Sequence, residues 1–154
     1  MSGGLAWGGA LLWLGSTIRF GLNRPLTISE AMALALFLPG LVLMAMIGRL
    51  AQQRFFHSDL MDGAQFAPNS GPATDQKVLQ NTIEQLVLAL CVWPLAVHFV
   101  GAGVVLALGT GFAIARIFFW IGYHISPPLR GFGFAASFYP TILVALWTMG
   151  KIIR

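Results

Sequence analysis

Charge is what this chain has least of. Of its 154 residues only 9% are Asp, Glu, Lys or Arg, and 57% are hydrophobic, whereas a globular domain in water carries about 25% charged residues. With a mean hydropathy of +0.79, a water-exposed surface built from so few charges is excluded, and an integral membrane protein is expected. Cysteine is nearly absent too: Cys91 is the only one, which rules out an intrachain disulfide and a cysteine metal cluster. Basic stripes interleaved with exposed aromatics are missing, so a nucleic-acid partner is not expected. The opening MSGGLAWGGALLWLGSTI has no basic leading segment, so a cleaved signal peptide is not expected either.

What is present is a series of apolar runs long enough for about four spans of roughly 20 residues. Leu5 to Ile18 is rich in Gly and Trp and is followed by Arg19 and Arg24, which suits an interfacial or re-entrant helix rather than a full span. Glu30 to Gly48 makes a first full helix, entered through Thr27 and Ser29 as capping residues and interrupted by Pro39 and Gly40. A long hydrophilic loop follows. The second helix poses a problem, because Leu86 to Val97 alone is too short to cross about 30 Å of hydrocarbon. It must start near Val78, which puts Asn81 and Glu84 inside the membrane. The third helix covers about Val100 to Ile125 with Arg116 interrupting it; the prolines of SPPLRG make a tight connection, and the fourth helix covers residues 132 to 150. The fold expected is an all-α four-helix transmembrane bundle over residues 29–154, preceded by an interfacial or re-entrant segment at 1–28.

Successive spans alternate direction, so parity gathers Arg49, Arg54, the stretch from Lys77 to Glu84, Arg116, Tyr123 and Arg130 at one membrane face. Lys77, Asn81 and Glu84 are spaced i, i+4, i+7 and share a helical stripe. Arg116 and Tyr123, seven apart, share another. A charge within a membrane helix costs about 2.5 to 3.5 kcal/mol at the helix centre, so Glu84 and Arg116 both call for a partner. One reading is a buried Glu84–Arg116 pair that fixes helix register, with Asn81 as interhelical glue. The other is a ligand site, favoured by surplus: one glutamate cannot neutralise so many cations, and the mixture suits a small anionic molecule that also carries an amine.

The pattern K-x-x-x-N-x-x-E at Lys77, Asn81 and Glu84, followed by R-x6-Y at Arg116 and Tyr123 and by Arg130 seven residues on, resembles the MAPEG family, the membrane-associated proteins in eicosanoid and glutathione metabolism. ARIFFWIGYHISPPLRGFGF is similar to bacterial members. The resemblance covers roughly residues 30 to 150. It implies a homotrimer of four-helix subunits in a bacterial inner membrane, with glutathione as co-substrate held between subunits near the cytoplasmic face. It further implies that Asn81 and Glu84 hold the glutathione backbone and amine, that Lys77 and Arg116 handle carboxylate or structural charge, and that Tyr123 contacts the tripeptide. Arg130 would be the catalytic residue stabilising the thiolate, and Arg49 or Arg54 matches the arginine region of the first helix. Gln80 stands where several members carry arginine, and Phe119 where others carry Tyr or His.

The implied activity is a transferase or peroxidase acting on apolar electrophiles or lipid hydroperoxides that arrive from the membrane lipids, with Phe118, Phe119 and Trp120 as candidate wall residues. The alternative is a non-catalytic scaffold or accessory subunit that binds lipid or another membrane protein. A transporter or channel is disfavoured because the polar cluster is confined to one half of the membrane. His57, His98 and His124 lie on separate elements without metal-ligand spacing, so no metal site is expected. Arg116 apart, the basic residues divide equally, Arg49, Arg54, Lys77 and Arg130 at one face against Arg19, Arg24, Lys151 and Arg154 at the other, so only the resemblance points the polar cluster toward the cytoplasm.

Overall fold

In a computed structural model of the full chain, residues 2–17, 25–56 and 65–154 are described below. They form five helices and no strand: α1 (Ser2–Thr17), α2 (Ile28–Phe55), α3 (Gly71–Val100), α4 (Ala102–Ile125) and α5 (Pro127–Ile152). The last four are long and apolar enough to cross a membrane. Arg19, Arg24 and His57 lie outside the described residues.

Local chemistry explains the boundaries. Thr27 caps α2 in a reciprocal box, its hydroxyl accepting from the Glu30 amide at 3.3 Å while a Glu30 carboxylate oxygen accepts from the Thr27 amide at 2.9 Å. Ser70 caps α3 by accepting from the Ala73 amide at 3.2 Å. Three boundaries differ from the sequence expectation. α2 continues past Gly48 to Phe55, so Arg49 and Arg54 are helical. α3 begins at Gly71 rather than near Val78, because span arithmetic sets a minimum length and the cap at Ser70 sets the actual start. α5 begins at Pro127, not at residue 132: proline's missing N–H costs nothing in the first helical turn and its fixed φ suits it, so the prolines open α5 and Arg130 stands on its first turn.

The connections are correspondingly short. Only Gly101 separates α3 from α4, at φ 88°, a left-handed conformation open to glycine. Only Ser126 separates α4 from α5, with its amide bonded to the Gly122 carbonyl at 3.0 Å. Pro39, Pro94 and Pro140 all lie within continuous helices.

α4 is the central element, packed against each of the other helices. At Gly109 it meets the backbone of Ala35 on α2 so closely that a Cβ would overlap it, and Ala113, one turn on, is buried as well, the small-residue approach that membrane helices use. The main core joins Trp93, Leu108, Phe112 and Val144, with Trp93 and Phe112 edge to face at 6.1 Å. A smaller cluster of Met46, Val78 and Phe119 seals the end of the bundle that carries the polar residues.

α1 runs along α4 and α5 through a row of small or apolar residues. Gly4 sits on Ala135 and Tyr139, Gly8 on Pro140 and Leu143, Gly15 on Val104, and Leu11 against Gly111. Its 16 residues measure about 24 Å along the axis, short of the hydrocarbon thickness.

Candidate functional site

The outward face of the first half of α3 carries a polar stripe formed by Gln76, Lys77, Gln80, Asn81 and Glu84 at helical spacing. Together with Gln65, Phe66 and Ala73 it lines a groove of about 580 Å³. Glu84 accepts from the Gln80 amide at 3.0 Å and from the Asn81 amide at 3.5 Å. At the margin the Arg54 guanidinium lies 4.6 Å from the centre of the Phe66 ring, a cation–π contact that holds a second cation against one of the residues lining the groove.

Beneath the stripe stands Arg116, with none of its surface exposed. Its Nη1 donates to Oδ1 of Asn81 at 2.9 Å, its Nη2 donates to the Ser137 hydroxyl, and the Phe119 ring lies 4.5 Å from its carbon Cζ. The direct Glu84–Arg116 pair considered from the sequence is not formed. Asn81 bridges instead: it accepts from Arg116 and donates to Glu84. The physical reason is direction, since Arg116 points into the α3–α4–α5 interior whereas Glu84 lies on the exposed face of α3.

Tyr123 and Arg130 are at the same end of the bundle, on the last turn of α4 and the first of α5, with the Arg130 Cζ 4.9 Å from the Tyr123 ring centre. Neither is among the residues lining the groove. Of the aromatics considered as wall residues, Phe118 is 40% exposed and Phe119 is buried at 3%.

A second polar centre was missed in the sequence. Asp75, 2% exposed, accepts four side-chain hydrogen bonds from two neighbouring helices. Arg49 Nε and Gln53 Nε2 on α2 reach Oδ2 at 2.9 and 2.8 Å. Trp120 Nε1 and His124 Nε2 on α4 each meet Oδ1 at 2.8 Å. Arg49 is therefore committed to Asp75, and Arg54 is the first-helix arginine beside the groove. The signal for this centre existed: Trp120 and His124 are one turn apart, and so are Arg49 and Gln53. Span length alone starts this helix near Val78, and that start leaves Asp75 without a helix face.

The MAPEG family model matches residues 30–150, which takes in α3 and α4 whole, nearly all of α2 and α5, and leaves α1 outside. No curated protein and no solved structure gives a match. The match spans most of the chain, and the chain belongs to the MAPEG family.

Proposed function

We propose that this protein is a glutathione-dependent membrane transferase or peroxidase acting on apolar electrophiles or lipid hydroperoxides. The observation that carries the reading is the groove on α3, where Lys77, Asn81 and Glu84 form one outward stripe above a fully buried Arg116. Glutathione has two carboxylates, an ammonium group, two amides and a thiol. Lys77 and Arg54 suit the carboxylates, Glu84 the ammonium group, and Asn81 an amide or carboxylate oxygen. A homotrimer, in which a neighbouring subunit closes the open side of the groove, would bring the stripe out of contact with lipid. The polar end would face the cytoplasm of a bacterial inner membrane.

The chemistry requires the thiolate, since a thiol of pKa about 8.5 is mostly protonated at neutral pH. Lowering that pKa by about two units takes roughly 2.7 kcal/mol of preferential thiolate stabilisation, within reach of one guanidinium, and Arg130 is assigned that role. The sulfur then attacks the electrophilic carbon and the leaving group departs with the bonding pair. With a hydroperoxide it attacks the distal oxygen, releasing the alcohol and leaving a sulfenic acid that a second glutathione converts to disulfide and water.

Titration of the purified protein with glutathione, with thiolate absorbance followed at about 240 nm, tests this reading. Saturable binding with a thiolate band supports it, and no binding at millimolar glutathione overturns it. A second reading, a non-catalytic scaffold or accessory subunit that binds lipid or another membrane protein, draws on the separation of Tyr123 and Arg130 from the lining of the groove. It predicts no thiolate band at any glutathione concentration.

A further inference from the structure

Arg116 poses an electrostatic question that the groove alone does not answer. Arginine stays protonated in proteins, yet this one is wholly buried and its polar contacts are neutral: the Asn81 amide oxygen and the Ser137 hydroxyl. The guanidinium has five N–H donors and no acceptor. It can therefore face only the oxygen of the Asn81 amide, never its nitrogen. That fixes which way the amide points. With Oδ1 turned inward to Arg116, the Nδ2 hydrogens are turned toward Glu84 and the groove that Asn81 lines. Left to itself, an asparagine amide on a groove could present either end.

We infer that Arg116 is a positioning residue that never touches the ligand: it locks the Asn81 side chain so that the groove presents an amide donor, and its charge beneath that donor, which no carboxylate meets directly, favours an anionic or carbonyl oxygen in the ligand. This rests on the glutathione reading and sharpens it, because it assigns Asn81 to a glutathione oxygen and withdraws Arg116 from direct contact. It also separates the two functions of Asn81, holding α3 to α4 and recognising ligand, onto the two ends of one amide.

Asn81→Asp separates them experimentally. A carboxylate at position 81 still accepts from Arg116, now as an ion pair, so the fold is kept, but the donor facing the groove is gone. Glutathione is titrated by calorimetry into the full chain in detergent micelles, and the thermal midpoint is recorded for each variant. The expected result for Asn81→Asp is a midpoint equal to or above that of the wild type, with at least a tenfold rise in Kd. Arg116→Leu removes the lock and is expected to weaken binding at least tenfold, while Arg116→Lys, which keeps a donor and a charge within reach of Oδ1, recovers most of it. Wild-type affinity in Asn81→Asp, or equal affinity in Arg116→Leu and Arg116→Lys, overturns the inference and leaves the glutathione reading standing. Absence of binding by the wild type overturns both.

Discussion

Nε of Arg49 lies 2.9 Å from Oδ2 of Asp75, and that contact fastens the last turns of α2 to the first turns of α3. Arg49 is half exposed whereas Asp75 is sealed at 2%, so the energy at stake lies less in the ion pair, which water screens on the arginine side, than in satisfying a buried carboxylate. Asp75→Ala would remove the acceptor of four donors at once, of which Arg49 and His124 can turn to water. Two of the four, on Trp120 and His124, belong to α4, so the loss would loosen three helices. The expected cost is about 2 to 3 kcal/mol, seen as a lower thermal midpoint in detergent and as faster proteolysis between α2 and α3. An unchanged midpoint would show that the centre contributes nothing to holding these helices.

Trp120→Phe tests one arm of the same centre. The phenyl ring keeps most of the apolar volume and removes only the indole donor that reaches Asp75 at 2.8 Å. Three donors remain on the carboxylate, so the expected destabilisation is about 0.5 to 1.5 kcal/mol, smaller than for Asp75→Ala. Combining the two changes should cost no more than Asp75→Ala alone, because the second substitution removes a partner that is already gone. Thermal midpoints of the three variants form the cycle.

The architecture was legible from composition and span length: four apolar runs, a polar stripe on the second and an arginine in the third, with parity bringing them to one end. The closeness of Asn81 to Arg116 follows from that arithmetic, since polar groups at the same depth within neighbouring spans are drawn together. The choice of Asn81 over Glu84 as the partner was not legible, because it depends on helix rotation about its axis, which hydropathy along a membrane span constrains weakly when lipid accepts apolar residues on any face. Asp75 was missed for a different reason. A helix extending beyond the span is set by its cap, and Ser70 with Pro72 at the start of α3 lies inside a stretch that hydropathy reads as loop. Prolines 127 and 128 misled because a stop and a start share the same residue type.

Gly109→Ala places a methyl group against the backbone of Ala35, where no side-chain rotation can make room. α2 and α4 must separate at their crossing, at a cost of about 1 to 3 kcal/mol. Gly9→Ala is the matched control: it is also helical, a Cβ there meets nothing within 4 Å, and replacing glycine by alanine in a helix is worth about 0.5 to 1 kcal/mol. The two variants should therefore shift the thermal midpoint in opposite directions. A shift of the same sign in both would contradict the close approach of α2 and α4.

Glu84→Gln and Arg130→Ala separate binding from chemistry. Glu84 lies in the groove, where it accepts from Gln80 and Asn81, and its replacement keeps the shape while removing the charge that would meet the ammonium of glutathione. Losing a charge-assisted hydrogen bond of about 1.5 to 3 kcal/mol corresponds to roughly a 10- to 150-fold rise in Kd, with turnover at saturating glutathione largely kept. Arg130 stands over Tyr123 on the first turn of α5, outside the groove, so its loss should leave affinity nearly intact and lower kcat together with the thiolate band. Calorimetry gives the affinity, and steady-state rates with an apolar electrophile give the turnover. An Arg130→Ala variant that keeps both its thiolate band and its rate would remove Arg130 from the chemistry, and equal loss of folded protein in both variants would mark the two residues as structural.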